Sequence, residues 1–311
     1  MSIATIWHRK VVYCQRLLLV SLVALLTVSF LTPFAASAQQ TDEAVESITL
    51  SPTNRKYTID AGKTINDKMT IVNDGATAYD FTVYARPYSV KDNRYDQPNF
   101  TDSTPTADLY KWVRTAQSKY RLEPNASVEV DFSITVPQNA APGGHYGAIF
   151  AEVQPSEQGQ SGNQVLRKKR VGMIIYATVN GDVKLAGEAV GSDIPFWQLQ
   201  PPLRTSVQAR NDGNTHFADE VKLTVRDVFG NIKYRAVGEY QVLPNTTRTI
   251  AMEWKDASWL GLYKVQVEQK ILDKPTSSDG YVLIVPRFIP FVLIIIVVVW
   301  GLYAVLRKRK K

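Results

Sequence analysis

The chain has 311 residues, of which 45% are hydrophobic and 10% aromatic, with one cysteine and a formal net charge of +7. Nine of its 36 Lys and Arg lie near the two ends; the other 27 stand against 29 Asp and Glu, so the body of the chain is near neutral and lacks a basic field for nucleic acid. Cys14 belongs to the N-terminal segment, which excludes disulfides and thiolate metal sites from the rest.

In chain order, His8, Arg9, Lys10 and Arg16 make a basic start, residues 17–31 are apolar, Pro33 breaks the run, and Ala36-Ser37-Ala38 has the form of a cleavage site. This predicts a secretory signal over residues 1–38, with a retained N-terminal anchor as the alternative. Cys14 precedes the apolar run, so it is no lipid attachment site. From Val45 onward the chain reads as strands between Pro, Gly, Asn and Asp turns: Ile48-Thr49-Leu50, then residues 56–59, 68–72 and 79–85. The nearest thing to a helix in this part is a turn or two within residues 107–117. At the far end, residues 288–306 carry no charge, Arg287 precedes them and residues 307–311 are all basic. A length near the ~20 residues of a bilayer crossing, with Trp300 and Tyr303 suited to the interface, predicts a transmembrane helix with a cytoplasmic tail over 307–311. On that reading the chain before Arg287 lies outside the cell, and its lack of disulfides favours a bacterial surface protein. A buried β-rich terminus is the alternative.

An internal repeat sets the domain plan. Met69-Thr70-Ile71-Val72-Asn73-Asp74-Gly75 is echoed by Val207-Gln208-Ala209-Arg210-Asn211-Asp212-Gly213. Leu122-Glu123-Pro124-Asn125 before a strand is echoed by Leu243-Pro244-Asn245, and Gly144-His145-Tyr146 by Gly261-Leu262-Tyr263. Three landmarks in one order predict an all-β chain of two tandem immunoglobulin-like β-sandwich domains, at 45–185 and 186–285, followed by the helix at 288–306. Relative to the second, the first carries insertions at 86–120 and 154–164, and loops on a rigid sandwich are where binding usually resides.

The residues offer little for catalysis. His145 and His216 lack any nucleophile or zinc-binding context, the carboxylates are scattered, and no cofactor motif is present. Asp92, Asn93 and Asp96 are oxygen donors without the spacing of a calcium loop, and are also ordinary turn formers. Tyr88, Tyr95, Tyr110 and Trp112 put aromatics in one insertion, which reads either as a sugar-stacking surface or as a satellite core that pins the insertion down. His145 is read as a turn residue or a ligand contact. Arg167, Lys168, Lys169 and Arg170 form a cluster that can attract anionic polymers or merely protect a strand edge.

Ser51-Pro52, Gly62, Asn73, Trp112, Val136-Pro137 and the run Ala141-Pro142-Gly143-Gly144-His145-Tyr146-Gly147-Ala148-Ile149-Phe150, with the signal, tandem outer domains, helix and basic tail, give a layout that resembles the WxL-interacting cell-surface proteins of Gram-positive bacteria. The resemblance implies a first domain that binds peptidoglycan, a second that binds a partner, and no catalytic residues. The expectation is a non-catalytic, single-pass membrane protein that binds cell-wall polymer or another surface protein. The alternative is an accessory subunit that docks a partner chain on a sandwich edge by strand addition.

Overall fold

The computed structural model describes residues 47–154 and 169–308, and Val45–Lys311 form one compact unit. The first sandwich comprises β1 (Ile48–Ser51), β2 (Asn54–Ile59), β3 (Thr64–Asn73), β4 (Tyr79–Pro87), β5 (Ser89–Val90), β6 (Pro98–Asn99), β7 (Val113–Thr115), β8 (Lys119–Leu122), β9 (Ser127–Thr135), β10 (Gly143–Val153) and β11 (Arg170–Val179). One sheet runs β1-β3-β9-β7, the facing sheet β2-β11-β10-β4-β8, and β5 and β6 make a separate hairpin. The second sandwich comprises β12 (Gly187–Asp193), β13 (Trp197–Gln198), β14 (Leu203–Asn211), β15 (Phe217–Arg226), β16 (Ile232–Val242), β17 (Thr246–Trp254), β18 (Gly261–Ile271) and β19 (Lys274–Ile284). Its sheets run β12-β14-β17 and β13-β19-β18-β15-β16. The fold is all-β and built from immunoglobulin-like β-sandwiches. Both sandwiches divide their first strand between the two sheets: β2 joins β11 in parallel, and β13 joins β19 in parallel.

Period-two alternation supplies each core. Met69 and Ile71 of β3, Phe81 and Val83 of β4, Val130, Phe132 and Ile134 of β9, and Ile149 and Ala151 of β10 meet between the first pair of sheets. Val207, Val221, Leu223, Val225, Ile250, Val265 and Val267 do the same in the second. In β10 the alternation vanishes, because its even-numbered side chains are covered as well, and ten of its eleven residues are buried. The stretch expected to form a turn of helix does so only at Leu109–Lys111, a 3-10 turn, and then becomes β7.

The repeated Asn-Asp-Gly is a lock as well as a turn. Asn211 is almost wholly buried; its amide donates to the carbonyls of Thr215 and Val242, both at 2.8 Å, while its Oδ1 accepts from the Gly213 N–H at 2.8 Å. Asn73 donates to Thr77, Leu122 and Glu123 carbonyls and accepts from Gly75 N–H at 2.9 Å. In each sandwich the asparagine therefore ties the turn to the segment that precedes a later strand.

The chain after β19 is helical over α1 (Phe288–Lys308), but the membrane anchor is corrected. A crossing takes an unbroken apolar run of about 20 residues, and among the described residues no helix is long and apolar enough to cross a membrane. The single-pass localisation and the cytoplasmic tail expected with it are withdrawn; residues 309–311 and the signal at 1–38 lie outside the described residues.

Candidate functional site

The 86–120 insertion folds back onto the outer face of the β11-β10-β4 sheet. Tyr88 (4% exposed), Tyr146 and Tyr176 form a buried cluster with Leu243 of the second sandwich, and Tyr95, Phe100 and Ile174 pack around it. Tyr88 stacks on Phe100 with ring centroids 5.8 Å apart, and Phe100 meets Phe150 edge to face at 4.8 Å. Gly172 makes room for Phe150, because a Cβ there would lie 2.6 Å from the ring.

Tyr95, in left-handed backbone at the hairpin tip (φ 62°), reaches across to the second sandwich. Its hydroxyl lies 2.7 Å from Thr246 Oγ1 and accepts the Leu243 N–H at 2.9 Å, and the Arg248 guanidinium sits 4.3 Å over its ring. Asn93 O accepts the N–H of Thr249 at 2.5 Å. Asp92 accepts the Asp96 N–H at 3.1 Å, so this trio shapes the hairpin turn.

A second set of contacts explains the Pro-Gly-Gly-His-Tyr run. Gly144 N–H donates to Asn214 O at 2.8 Å, and Thr178 Oγ1 is 2.8 Å from Thr215 Oγ1. Gly143 has φ 118°, and a Cβ on it would meet Asn214 O at 2.6 Å. Glycine is required because the second sandwich's turn comes this close. His216 is wedged against Tyr146 and Tyr176, at 5.6 and 5.3 Å between rings. Burial first, and the nearby Lys56 second, push its pKa down to about 4. Lys56 in turn pairs with Glu239 across the junction.

The other candidate residues go elsewhere. Trp112, 8% exposed, is core of the first sandwich, with its ring 4.5 Å from that of His145. His145 is buried between Asp108 Oδ1 (2.7 Å) and Ala141 O (2.9 Å); burial opposes its charge, but these two acceptors outweigh it and raise the pKa. Tyr110 lies in the 3-10 turn beneath which Gly147 passes. Lys169 holds the end of β10 through its carbonyl, which accepts from Val153 N–H, and Arg170 opens β11. Arg167 and Lys168 lie outside the described residues. Of the aromatic candidates, Tyr88 and Trp112 are buried and Tyr95 and Tyr110 are half-buried, an arrangement of the satellite-core kind rather than an open surface of rings.

Sequence reasoning missed Arg248 and Asp219, which no spacing marks. Asp219 is fully buried; its Oδ2 accepts from Gln269 Nε2 at 2.8 Å, while Oδ1 has no partner among the described residues. Burial raises its pKa to about 6 against the opposing effects of Gln269 and Arg248. A raised carboxyl pKa means that stability is lost as pH rises from the unfolded value of about 4 through about 6. Asp219→Asn is therefore expected to raise the urea midpoint at pH 8 and leave it nearly unchanged at pH 3.5.

The two sandwiches differ at one edge. In the first, β7 covers β9: Trp112 O accepts the Thr135 N–H, Asp131 O accepts the Ala116 N–H, both at 3.0 Å, and Arg114 pairs with Ser133. In the second, β17 is the last strand of its sheet. Asn125 and Asn245, both at φ 57°, mark the same point before β9 and β17, so Ala251 and Glu253 stand where Asp131 and Ser133 stand. Thr249 N–H points outward to Asn93, and period two sends Ala251 and Glu253 the same way. Among the described residues no backbone group pairs with either on that side.

No family profile and no curated protein matches the chain. Solved structures that match include the class 5 fimbriae chaperone CfaA (TM-score 0.39, 9% identity, 76% of this chain and 99% of that one), the Salmonella enterica SafA pilin–SafB chaperone complex (0.39, 11%, 76% and 96%) and the Pseudomonas aeruginosa CupB2 chaperone (0.37, 12%, 75% and 100%). Likeness this distant transfers no role. No family profile and no curated protein supports the resemblance to WxL-interacting proteins, which is withdrawn. The membrane-anchored binder of peptidoglycan is withdrawn too, since the anchor and the aromatic surface it rested on are both gone.

Proposed function

We propose that the chain is a non-catalytic protein-binding module whose second sandwich takes an extended segment of a partner protein along the open edge of β17. The observation that carries this is that β7 has no counterpart among the described residues: the first sandwich covers its β9 with a short strand, and in the second no described strand covers the equivalent edge. Main-chain hydrogen bonds from Ala251 and Glu253 supply the affinity of such an added strand, and alternate side chains supply the choice. The Asn93–Thr249 bond closes one end of the edge and fixes where the added strand must stop. Matching structures include chaperones complexed with a pilin or with a tip subunit.

The test uses heptapeptides selected by display on the purified chain. Ala251→Pro removes the outward N–H on a solvent-side edge, where proline is tolerated. Selected peptides are expected to lose at least tenfold in affinity for this variant, about 1.4 kcal/mol, and to protect the Ala251 and Glu253 amides from exchange in the parent. Equal binding to both proteins, or protection elsewhere, overturns the reading.

A further inference from the structure

The hairpin of β5 and β6 leaves part of the sheet beneath it open, and the opening is a cleft of about 480 Å³ lined by Arg86, Lys91, Gln97, Asn99, Thr101 and Arg170, with Phe100 as its apolar wall. The geometry points to a binding site for an oxyanion of phosphate type. It is independent of the β17 edge and lies on the other sandwich.

Three cations converge there from three segments: Arg86 from β4, Lys91 from the hairpin and Arg170 from β11. Both guanidinium groups are placed by rings. Arg86 lies 5.3 Å over Tyr84, Arg170 lies 4.9 Å over Phe150, and those rings stack at 5.8 Å. Arg170 also bonds the Tyr84 side chain, and a guanidinium ordered in this way loses little freedom when its remaining N–H groups take a tetrahedral oxyanion. Asn99, 8% exposed, holds the cleft wall: its amide donates to Ser89 Oγ at 3.1 Å and Asp102 at 3.0 Å, and its Oδ1 accepts the N–H of Thr101 at 3.1 Å. Gln97 and Thr101 add neutral donors. The acidic groups at hand are Asp102, 3.6 Å from Lys91, and Glu152, which accepts from the Tyr84 hydroxyl at 2.6 Å. Neither lines the cleft, so the lining itself is cationic.

Sequence inspection marked Arg170 only as part of a linear run with Arg167, Lys168 and Lys169. The fold pairs it instead with Arg86, 84 positions earlier, and that pairing turns a charged strand edge into a bounded site.

The test is a titration of the full chain with inorganic phosphate and, separately, glycerol 3-phosphate. Ionic strength is held constant with sodium chloride, and the backbone amides of residues 97–101 are followed by NMR. Saturable shifts are expected for at least one probe, with tighter binding of glycerol 3-phosphate assigning a phosphate ester and tighter inorganic phosphate assigning the free ion. Arg86→Gln and Arg170→Gln should each weaken binding at least fivefold, and Arg121→Gln, an exposed arginine on β8, should leave it unchanged. Gly172→Ala, which displaces the Phe150 ring, should weaken it without removing any charge. Shifts that do not saturate, or that fall equally in Arg121→Gln, overturn the site.

Discussion

Asn211→Ala is expected to lower stability by about 3 kcal/mol, and Asn73→Ala by a similar amount. Asn211→Ala takes a side-chain partner from two carbonyls and one N–H, and Asn73→Ala from three carbonyls, of which Glu123 O keeps the Ala126 N–H, and one N–H; a buried group left with none costs about 1–3 kcal/mol before the structure relaxes. Relaxation is restricted at Asn211, because Gly213 in the same turn is pressed against Lys184 O, 2.3 Å from where its Cβ would be. Asp212 stands beside Asn211 in the same motif, is exposed, and makes a 3.1 Å ion pair with Arg210. Its loss should change stability by less than about 1 kcal/mol. Urea denaturation of the three variants decides the matter. Equal effects for Asn211→Ala and Asp212→Ala would mean that the motif is only a turn. Asn211→Asp should do at least as much harm as alanine, since a carboxylate cannot donate to the Thr215 and Val242 carbonyls.

These asparagines also show how far the sequence could be read. The repeat was visible because both sandwiches need the same buried amide at the end of their second long strand, so the residues recur in order. Alternation along β3, β9, β14 and β17 was visible for the same local reason. The insertion was not. Tyr95 finds its partners at Leu243, Thr246 and Arg248, about 150 positions away, and nothing local in the sequence says which surface will cover a ring. The Gly143–Gly144 pair could be seen but not explained, since its cause is the approach of Asn214 from the other sandwich. The difference that carries the functional proposal was hidden as well. A strand of three residues such as β7 is too short to show a period, so neither its presence in one sandwich nor its lack in the other left a pattern.

The junction gives the second large effect, and it depends on pH. His216 titrates near 4 in the folded chain, against an ordinary value of 6.5. Its folded pKa is depressed, so the unfolded chain binds the proton first. The resulting stability is fully present above about 6.5 and is lost as pH falls toward about 4, to a limit of about 3 kcal/mol. Asp219 runs the other way over nearly the same window, with stability falling as pH rises toward about 6. In the parent the two slopes oppose each other, so its stability should change little between pH 4 and 6.5 on their account. Separating them exposes each. His216→Gln removes the rising slope and should leave a chain that becomes less stable from pH 4 to 6. Asp219→Asn removes the falling slope and should leave one that gains about 3 kcal/mol from pH 4 to 6.5. Urea midpoints at half-unit intervals give both curves as differences from the parent, which cancels every other titrating group. If His216→Gln parallels the parent, the ring is not held neutral by Tyr146 and Tyr176, and the junction is wetter than its packing implies. If the slope is abolished, acid acts first on the contact between sandwiches: a protonated His216 must leave the tyrosine cluster, and with it goes the surface against which Gly144 and Thr178 meet Asn214 and Thr215.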